Sequence, residues 1–273
     1  MRSTIFFLFA FIASTFSVQA QKAQTLKPVL ELKMPKTADD DMPGTRGASV
    51  VWHPVQKKYY AVFAGNQNYP LAVFDEKGKL LSEEDLIAMI DSRGLWYDAT
   101  TKLISGNAYN EYGWFTYKLD TKGIPTDLDV IHEGMHQPDV QSVAAYNSAT
   151  KKIMFVHNGY VHMYNNTGEE ADSMMINWGI RKTAGSQGGG IDEEVLENYN
   201  HTSLIYTGIK GQELGFLNIA ENQIELYDIQ TGFMTKVVPL PESATIETTF
   251  NFAYANGIYW LFDMENRRWI GYK

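Results

Sequence analysis

Short apolar segments separated by polar turns recur along this chain, and the same arrangement returns five times. In each unit, a first apolar segment commonly ends in an aromatic and a polar residue, as in Tyr97-Asp98 and Tyr146-Asn147, and further apolar segments follow. Segments of this length that are rich in Tyr, Phe, Trp, Val and Ile are typical of β-strands. The five units begin at Ala48, Arg93, Gln141, His201 and Thr249.

A turn signal follows a later strand in four of these units, with a glycine at nearly the same offset each time. Asp or Asn starts such a tight turn, and Gly supplies a backbone angle that other residues avoid. The strands close on Phe74-Asp75, Leu119-Asp120, Tyr164-Asn165 and Tyr227-Asp228, and the glycines are Gly78, Gly123, Gly168 and Gly232.

The units recur about every 50 residues, which is within the range of propeller blades. The pattern resembles the broad β-propeller superfamily, of the Tyr-Asp…Gly type seen in bacterial exported propellers. It lacks the Trp-Asp signature of WD40 blades and the spacing of kelch blades, so no narrower functional family is indicated. The resemblance implies an all-β, five-bladed β-propeller spanning residues 21–273 as one domain. A six-bladed ring is the alternative if residues 171–200 contain a degenerate blade.

The two ends of the repeat predict how the ring closes. The fifth unit has only three apparent strands before Lys273, and residues 28–35 precede the first unit without a blade of their own. This segment resembles residues 235–241, the predicted outer strand of the fourth unit. We therefore expect the N-terminal strand to complete the last blade.

Three segments depart from the repeat. Residues 82–90 are predicted to form a capped short helix or an irregular outer strand. Residues 178–200, with Gly188-Gly189-Gly190 followed by an acidic stretch, predict a loop with a helical turn, either a lid or a variable surface loop. The acidic residues 39–41 are expected to be solvated, since a calcium site needs more oxygen ligands at fixed spacing.

The N-terminus predicts export. Arg2 is followed by a short apolar run over residues 5–13 and a small-x-small site ending at Ala20, so residues 1–20 are expected to be a signal peptide. The chain has no cysteine and a formal charge of −9, with no basic stripe. We therefore expect a disulfide-free, secreted or periplasmic protein that binds no nucleic acid and has no integral membrane segment once the leader is cleaved near Ala20.

Polar residues in the loops at one face of the predicted ring are the candidate ligand-binding residues. The repeated Asn66, Asn107 and Asn158 could present a ring of amides to a sugar, or could simply form turns. Aromatic residues near these loops, Trp52, Trp96, Tyr69, Tyr109 and Tyr112, could provide stacking platforms or pack between blades. The full ligand-binding set is Arg46, Asn66, Arg93, Asn107, Asp139, Asn158, His201, Glu247 and Asp263, with Gln141 in the same group of loops.

Residues 132–136 spell His-Glu-Gly-Met-His, the string of zinc metalloproteases. That motif works only on a helix, whereas residues 127–130 alternate as a strand does, and Gly134 and Pro138 disfavour a helix. We therefore expect no metal and no cofactor. A loop metal site using His132, His136 and Asp139 is a weak alternative.

Two functions from different classes fit these residues. The first is a non-catalytic binding propeller that recognises a glycan, a peptide or a partner protein at the channel mouth. The second is a glycoside hydrolase-like propeller, because residues 137–140 and 246–248 look similar to motifs of five-bladed glycosidases. That resemblance implies Asp139 as a base or an orienting carboxylate and Glu247 as the general acid. Ala48 and Ser49 stand where that pattern expects an Asp, so the base of the first blade is missing.

Overall fold

A computed structural model describes residues 24–40, 44–183 and 185–273. The predicted signal peptide, residues 1–20, lies outside the described residues. The regular secondary structure of the described chain is almost wholly β-strand, and the strands form five separate sheets arranged as the blades of a propeller. The prediction of a five-bladed, all-β propeller is therefore confirmed.

The first three blades and the N-terminal strand occupy residues 28–175. The strands in chain order are β1 (Pro28–Lys33), β2 (Arg46–His53), β3 (Lys58–Ala64), β4 (Leu71–Asp75), β5 (Ser92–Asp98), β6 (Leu103–Ala108), β7 (Trp114–Leu119), β8 (Pro125–His132), β9 (Ala145–Asn147), β10 (Lys152–His157), β11 (Tyr160–Tyr164) and β12 (Glu170–Met175), with a 3₁₀ turn at Asn110–Tyr112.

The last two blades contain β13 (Asn177–Arg181), which comes before a connecting segment with one short helix, α1 (Glu193–Leu196). The strands after this segment are β14 (Ile205–Tyr206), β15 (Leu214–Asn218), β16 (Gln223–Tyr227), β17 (Phe233–Pro239), β18 (Phe252–Ala255), β19 (Ile258–Asp263) and β20 (Arg268–Tyr272).

Each blade runs outward from the channel in chain order. The innermost strands are β2, β5, β9, β14 and β18, and consecutive strands pair antiparallel. Residues 171–200 do not form a sixth blade. They supply most of β12, the outer strand of blade 3, and then β13, which adds to the outer edge of blade 4 parallel to β17.

The N-terminal strand completes the last blade, as the sequence predicts. Strand β1 pairs antiparallel with β20, with Leu32 opposite Trp269. Leu32 is fully buried against the aromatic cluster between blades 5 and 1. Beyond the strand, Lys27 and Lys273 exchange two backbone hydrogen bonds of 3.0 Å. Both ends of the chain therefore hold the same blade together.

Blades approach most closely where an innermost strand begins. Gly47 lies directly behind the Arg at the start of β2, and a Cβ there would lie 2.5 Å from the Trp269 ring. Gly94 holds the same place in β5, where a Cβ would lie 2.4 Å from the backbone nitrogen of Ala144. Only glycine leaves room for the neighbouring blade at these two positions.

The acidic run before β2 corrects one expectation. Asp40 is buried, not solvated, and its carboxylate binds the guanidinium of Arg267 at 3.0 and 2.7 Å. Asp41 lies outside the described residues. The Arg267 guanidinium also lies 4.9 Å from the centre of the Phe63 ring. This ion pair connects the segment leading into blade 1 with blade 5, so it contributes to ring closure.

Blade 1 has three regular strands because its outer segment is irregular. Residues 82–90 form neither a helix nor a full strand, and they pair only through isolated bridges such as Pro70 with Ile87. The Ser82 hydroxyl accepts a hydrogen bond of 3.1 Å from the backbone N–H of Val73. Of the two alternatives that the sequence allows, the irregular outer segment is the observed one.

Candidate functional site

The loops that lead into the innermost strands lie on one face of the ring, which we call the upper face. Hydrogen bonds join neighbouring blades at this face, at every one of the five junctions. They tie the upper end of the channel together around its axis. The bonds are Leu95 N–H to Ser49 Oγ (3.2 Å), Ala144 N–H to Asn107 Oδ1 (3.2 Å), Val143 N–H to Thr202 O (3.0 Å), Phe250 N–H to Thr202 Oγ1 (2.7 Å) and Gly47 N–H to Asn251 Oδ1 (2.7 Å).

Asn107, a predicted ligand-binding residue, belongs to this junction network. Its side chain is fully buried and accepts hydrogen bonds from the backbone N–H groups of Gly94 and Ala144. Its amide nitrogen donates to the Ser142 carbonyl at 2.8 Å and to the Gln137 side chain. All of its hydrogen-bonding capacity is used between blades 2 and 3, so the structure places Asn107 in the sheet rather than in a cavity.

Arg93 is also engaged within the protein. Its guanidinium is buried, pairs with Asp91, and donates a 3.0 Å hydrogen bond to the Gln141 side chain. It lies over the Tyr109 ring at 4.7 Å and near Phe250 at 5.6 Å. Arg93 therefore fixes Gln141, which itself lines a cavity described below.

The remaining residues of blades 1 and 5 are spread over the upper face. Arg46 is exposed at the start of β2, and Asn66 accepts the Asn68 N–H at 2.9 Å, which forms a local turn. Asp263 is buried and accepts hydrogen bonds from Asn266 and Arg268. Burial acts to raise the pKa of Asp263, but these hydrogen bonds outweigh it and the pKa lies below its ordinary value. Among the described residues, none of these three lines the cavity described below.

Three of the predicted residues do meet. Asp139, Asn158 and His201 line one cavity of about 350 Å³ between blade 3 and the segment leading into blade 4. His157 and Gln141 add further polar groups, and Leu196 of α1 forms part of the rim. We call this cavity the upper cavity. Its other lining residues are Val156, Gly159, Trp178, Tyr199, Asn200 and Thr202.

The local backbone fixes the polar groups of the upper cavity. One carboxylate oxygen of Asp139 accepts the Gln141 N–H at 2.8 Å, which orients the carboxylate while leaving acceptor capacity for a ligand. Asn158 has a φ of 48° at the tight turn between β10 and β11, a conformation that Asn tolerates well. Both Asn158 and His201 are exposed. Among the described residues that line the cavity, Asp139 is the only carboxylate.

Trp178 and Tyr199 form a wall of the upper cavity that the sequence analysis missed. The Trp178 indole N–H donates to the Gly159 carbonyl at 3.1 Å, and its ring meets that of Tyr199 at 4.6 Å. The Tyr199 hydroxyl donates to the buried carboxylate of Glu225 at 2.8 Å. Trp178 lies in the segment that breaks the repeat. Tyr199 lies in the same segment, so the one available signal was a large aromatic residue at each end of a segment otherwise interpreted as a loop.

Glu247 lies in the loop leading into blade 5. Its backbone carbonyl accepts a 2.8 Å hydrogen bond from the Asn200 side chain, and its own side chain is half-buried. Glu247 is not among the described residues that line the upper cavity. The pairing of Asp139 with Glu247 as acid and base stays a hypothesis.

The His132 to His136 segment begins inside a strand, since β8 extends through His132. One ring nitrogen of His132 lies 2.7 Å from the Asn166 carbonyl, and one of His136 lies 2.8 Å from the Gly168 carbonyl. Both rings also pack against Trp114. No group of three or more His, Cys, Asp or Glu residues in the described part of the chain is arranged to hold a metal ion.

The aromatic candidates divide between the two faces. Tyr69, Tyr109 and Tyr112 lie in upper-face loops, where Tyr109 supports Arg93 and Tyr112 is exposed. Trp52 lies near the end of β2 and lines a cavity at the opposite face. Trp96 is buried and packs edge-on against Trp114 at 5.8 Å. Trp96 lines the same cavity as Trp52, so the prediction that all five lie near the upper loops is wrong for both tryptophans.

Within residues 24–40, 44–183 and 185–273, no helix has the length and apolarity that crossing a bilayer requires. The sequence matches no family model, and no curated protein is similar to it at the sequence level.

Solved structures share its fold. A glutaminyl cyclase from Myxococcus xanthus superimposes with a TM-score of 0.55 at 11% identity, covering 91% of this chain and 96% of the other. The Cps50 (Swd1) β-propeller domain of Myceliophteria thermophila gives 0.49 at 8% identity, with 91% and 99% covered. At such identities the likeness extends to the fold alone. The protein is a five-bladed β-propeller whose last blade is completed by its N-terminal strand.

Proposed function

We propose that this protein is an exported, non-catalytic binding propeller that recognises a glycan in the upper cavity. One observation carries the proposal: three residues predicted from different loops line the same cavity of about 350 Å³. They are Asp139, Asn158 and His201. Export is proposed from the N-terminal sequence, with cleavage near Ala20 and release into the periplasm or the medium.

The chemistry of the cavity suits a hydroxylated ligand. A carboxylate accepts hydrogen bonds from sugar hydroxyls, and the side chains of Asn158 and Gln141 can both donate and accept. His157 and His201 add further ring nitrogens, and Trp178 and Tyr199 close one side. A concave site with a few convergent polar groups is better suited to binding the end of a small ligand than to binding the flat surface of a protein.

The test is a glycan array on residues 21–273, with a parallel assay for released reducing sugar and a peptide library as a second arm. Asp139→Asn should weaken glycan binding at least about tenfold, since a hydrogen bond to a charged group contributes about 1.5–3 kcal/mol. His201→Ala should weaken it about two- to tenfold, since a typical hydrogen bond contributes about 0.5–1.5 kcal/mol. Asp172→Asn is the matched control, because Asp172 is an exposed carboxylate on the outer strand of the same blade.

Each outcome separates the alternatives. Glycan binding that survives Asp139→Asn and His201→Ala would remove the upper cavity from consideration. Peptide binding that these variants abolish would replace the glycan with a peptide ligand. Release of reducing ends that is lost in Glu247→Gln would establish the hydrolase alternative in place of simple binding.

A further inference from the structure

The end of the channel opposite the upper face, which we call the lower mouth, carries a ring of aromatic side chains. An aromatic residue stands near the end of the innermost strand in every blade. In four blades the strand register places it one pair before the turn that joins the first two strands. In blade 4 it is the last residue of β14, where Tyr206 pairs with Leu214 and the Thr207 N–H then donates to the Glu213 carbonyl. The five residues, which we call the aromatic ring, are Trp52, Tyr97, Tyr146, Tyr206 and Tyr254.

These side chains surround a cavity instead of filling it. All five line a space of about 290 Å³ that reaches out to the turns at Pro54, Ser148 and Gly208. Each ring is partly exposed, although the strand residues on either side of it are mostly buried. All five rings also pack against the buried clusters of the blades, yet each keeps part of its surface exposed. This partly exposed aromatic surface lines the cavity in all five blades.

The aromatic ring is held in place from behind. Trp52 packs on Tyr59 with ring centres 4.5 Å apart, and Tyr254 packs on Tyr259 at 5.0 Å. Tyr97 contacts the His53 ring at 4.7 Å. Side chains fixed in this way lose little conformational freedom when a ligand binds, which favours affinity.

The tyrosine hydroxyls are available to a ligand. None of the phenol groups of Tyr97, Tyr146, Tyr206 and Tyr254 donates a hydrogen bond to another residue within the described chain. Burial raises the pKa of Tyr146, Tyr206 and Tyr254, so these phenols keep their protons at neutral pH. The lower mouth therefore combines the apolar faces of aromatic side chains with phenol hydroxyls that can donate hydrogen bonds.

Basic residues follow the aromatic ring in the turns that frame the lower mouth. Lys57, Lys102, Lys151 and Lys210 are all exposed, and none forms an ion pair with a described residue. The first three occupy equivalent turn positions with φ of 53°, 61° and 58°, a conformation in which Asn or Gly is favoured. Lysine at this position in three blades points to a use for its charge.

Two carboxylates lie in the same turns. Asp98 accepts the Thr100 N–H at 2.8 Å, and Glu213 accepts N–H groups of Gly211 and Ile229 at 2.8 and 3.2 Å. Four lysines and two acids give these turns a net positive charge, on a protein whose overall charge is −9. A positive rim repels a quaternary ammonium ligand, which an aromatic ring would otherwise suit.

We propose that the lower mouth is a second binding site, which takes a saccharide carrying a carboxylate or sulfate group. The apolar face of the sugar ring stacks on the aromatic ring, the tyrosine hydroxyls donate to sugar oxygens, and the lysine rim pairs with the anionic group. The site is independent of the upper cavity, because the two lie at opposite faces and share no lining residue among those described.

Calorimetry on residues 21–273 with a galacturonic acid disaccharide tests the site, with the matched galactose disaccharide and choline as further probes. We expect the acidic disaccharide to bind at least tenfold more tightly than the neutral one at low salt, with the difference shrinking at 0.5 M salt. Choline should not bind. Tyr146→Phe with Tyr206→Phe keeps the rings but removes two hydroxyls, and should weaken both sugars about tenfold.

Lys102→Gln with Lys151→Gln should remove the preference for the acidic disaccharide and leave binding of the neutral one in place. Lys236→Gln, an exposed lysine on β17, is the control for net charge. Asp139→Asn should leave this binding unchanged, so failure of the upper cavity and failure of the lower mouth are distinguishable. Three results would overturn the proposal. They are no binding of the acidic disaccharide at millimolar concentration, tighter binding of choline than of the acidic disaccharide, and an affinity for the acidic disaccharide that is unchanged in both double variants.

Discussion

Truncation of Leu32 to alanine tests whether the N-terminal strand holds the ring closed. Leu32 is fully buried and packs in the cluster that contains Phe74 and Trp269, between blades 1 and 5. Removing a buried leucine side chain in this way costs about 2–5 kcal/mol, and we take about 3 kcal/mol for this site. For a domain of this size, 1 kcal/mol lowers the unfolding midpoint by about 2–4 °C, so the midpoint should fall by about 6–12 °C.

Thermal unfolding followed by circular dichroism measures this shift, and Val29→Ala is the matched control. Val29 lies on the same strand with 52% of its surface exposed, so its truncation should change stability by less than about 0.5 kcal/mol. A strand shifted by one residue would reverse the two results, because alternate side chains face opposite sides. Equal and small effects of both variants would refute the closure of the last blade by β1.

Three further predictions concern buried polar groups. Asn107→Ala should lower the free energy of unfolding by about 3 kcal/mol in urea, because it leaves the four partners of the buried amide unsatisfied. A folded variant of unchanged stability would contradict its junction role. Glu225→Ala should lower the free energy of unfolding by about 3 kcal/mol, because the hydroxyls of Tyr199 and Tyr227 lose their acceptor. Glu225→Gln should lower it less, and equal losses of stability in the two variants would refute this reasoning. Burial lowers the pKa of His53 from 6.5, so the folded state disfavours the charged ring. The free energy of unfolding should therefore fall as the pH drops below about 6.5. His53→Gln should flatten this dependence in urea titrations between about pH 5 and 7, and an unchanged slope would exclude His53 as its source.

The repeat made the fold predictable from the sequence. Turn residues and strand composition are local properties, so five similar units identified five blades, and the unpaired segment at residues 28–35 identified the strand that closes the ring. The buried ion pair of Asp40 with Arg267 was not predictable in the same way. Its partners lie 227 residues apart, and a run of acidic residues normally faces water.

Equivalent positions in the repeat do not imply equivalent roles, and this limited the prediction of the site. Asn66 and Asn158 follow the second strand of their blades, whereas Asn107 lies within the corresponding strand, β6. Asn66 forms a local turn, Asn107 joins two blades from a fully buried position, and Asn158 lines the upper cavity. What separates them is the neighbouring blade, which the repeat pattern does not encode. Only the burial of each side chain in the structure distinguishes an Asn that joins blades from an Asn that lines the cavity.

The aromatic ring shows the opposite case, in which one role is shared by every blade. The sequence pattern contained it, since an aromatic residue precedes the first turn of each unit, but a residue of this type is also what a strand prefers. The distinction requires two facts that only the structure supplies: the side chains are half-exposed around an open cavity, and the opposite end of the channel is tied by hydrogen bonds at all five junctions. Under the proposal made above, a ligand that enters from the lower mouth contacts the aromatic ring, and the lysines of the surrounding turns determine the charge it can carry.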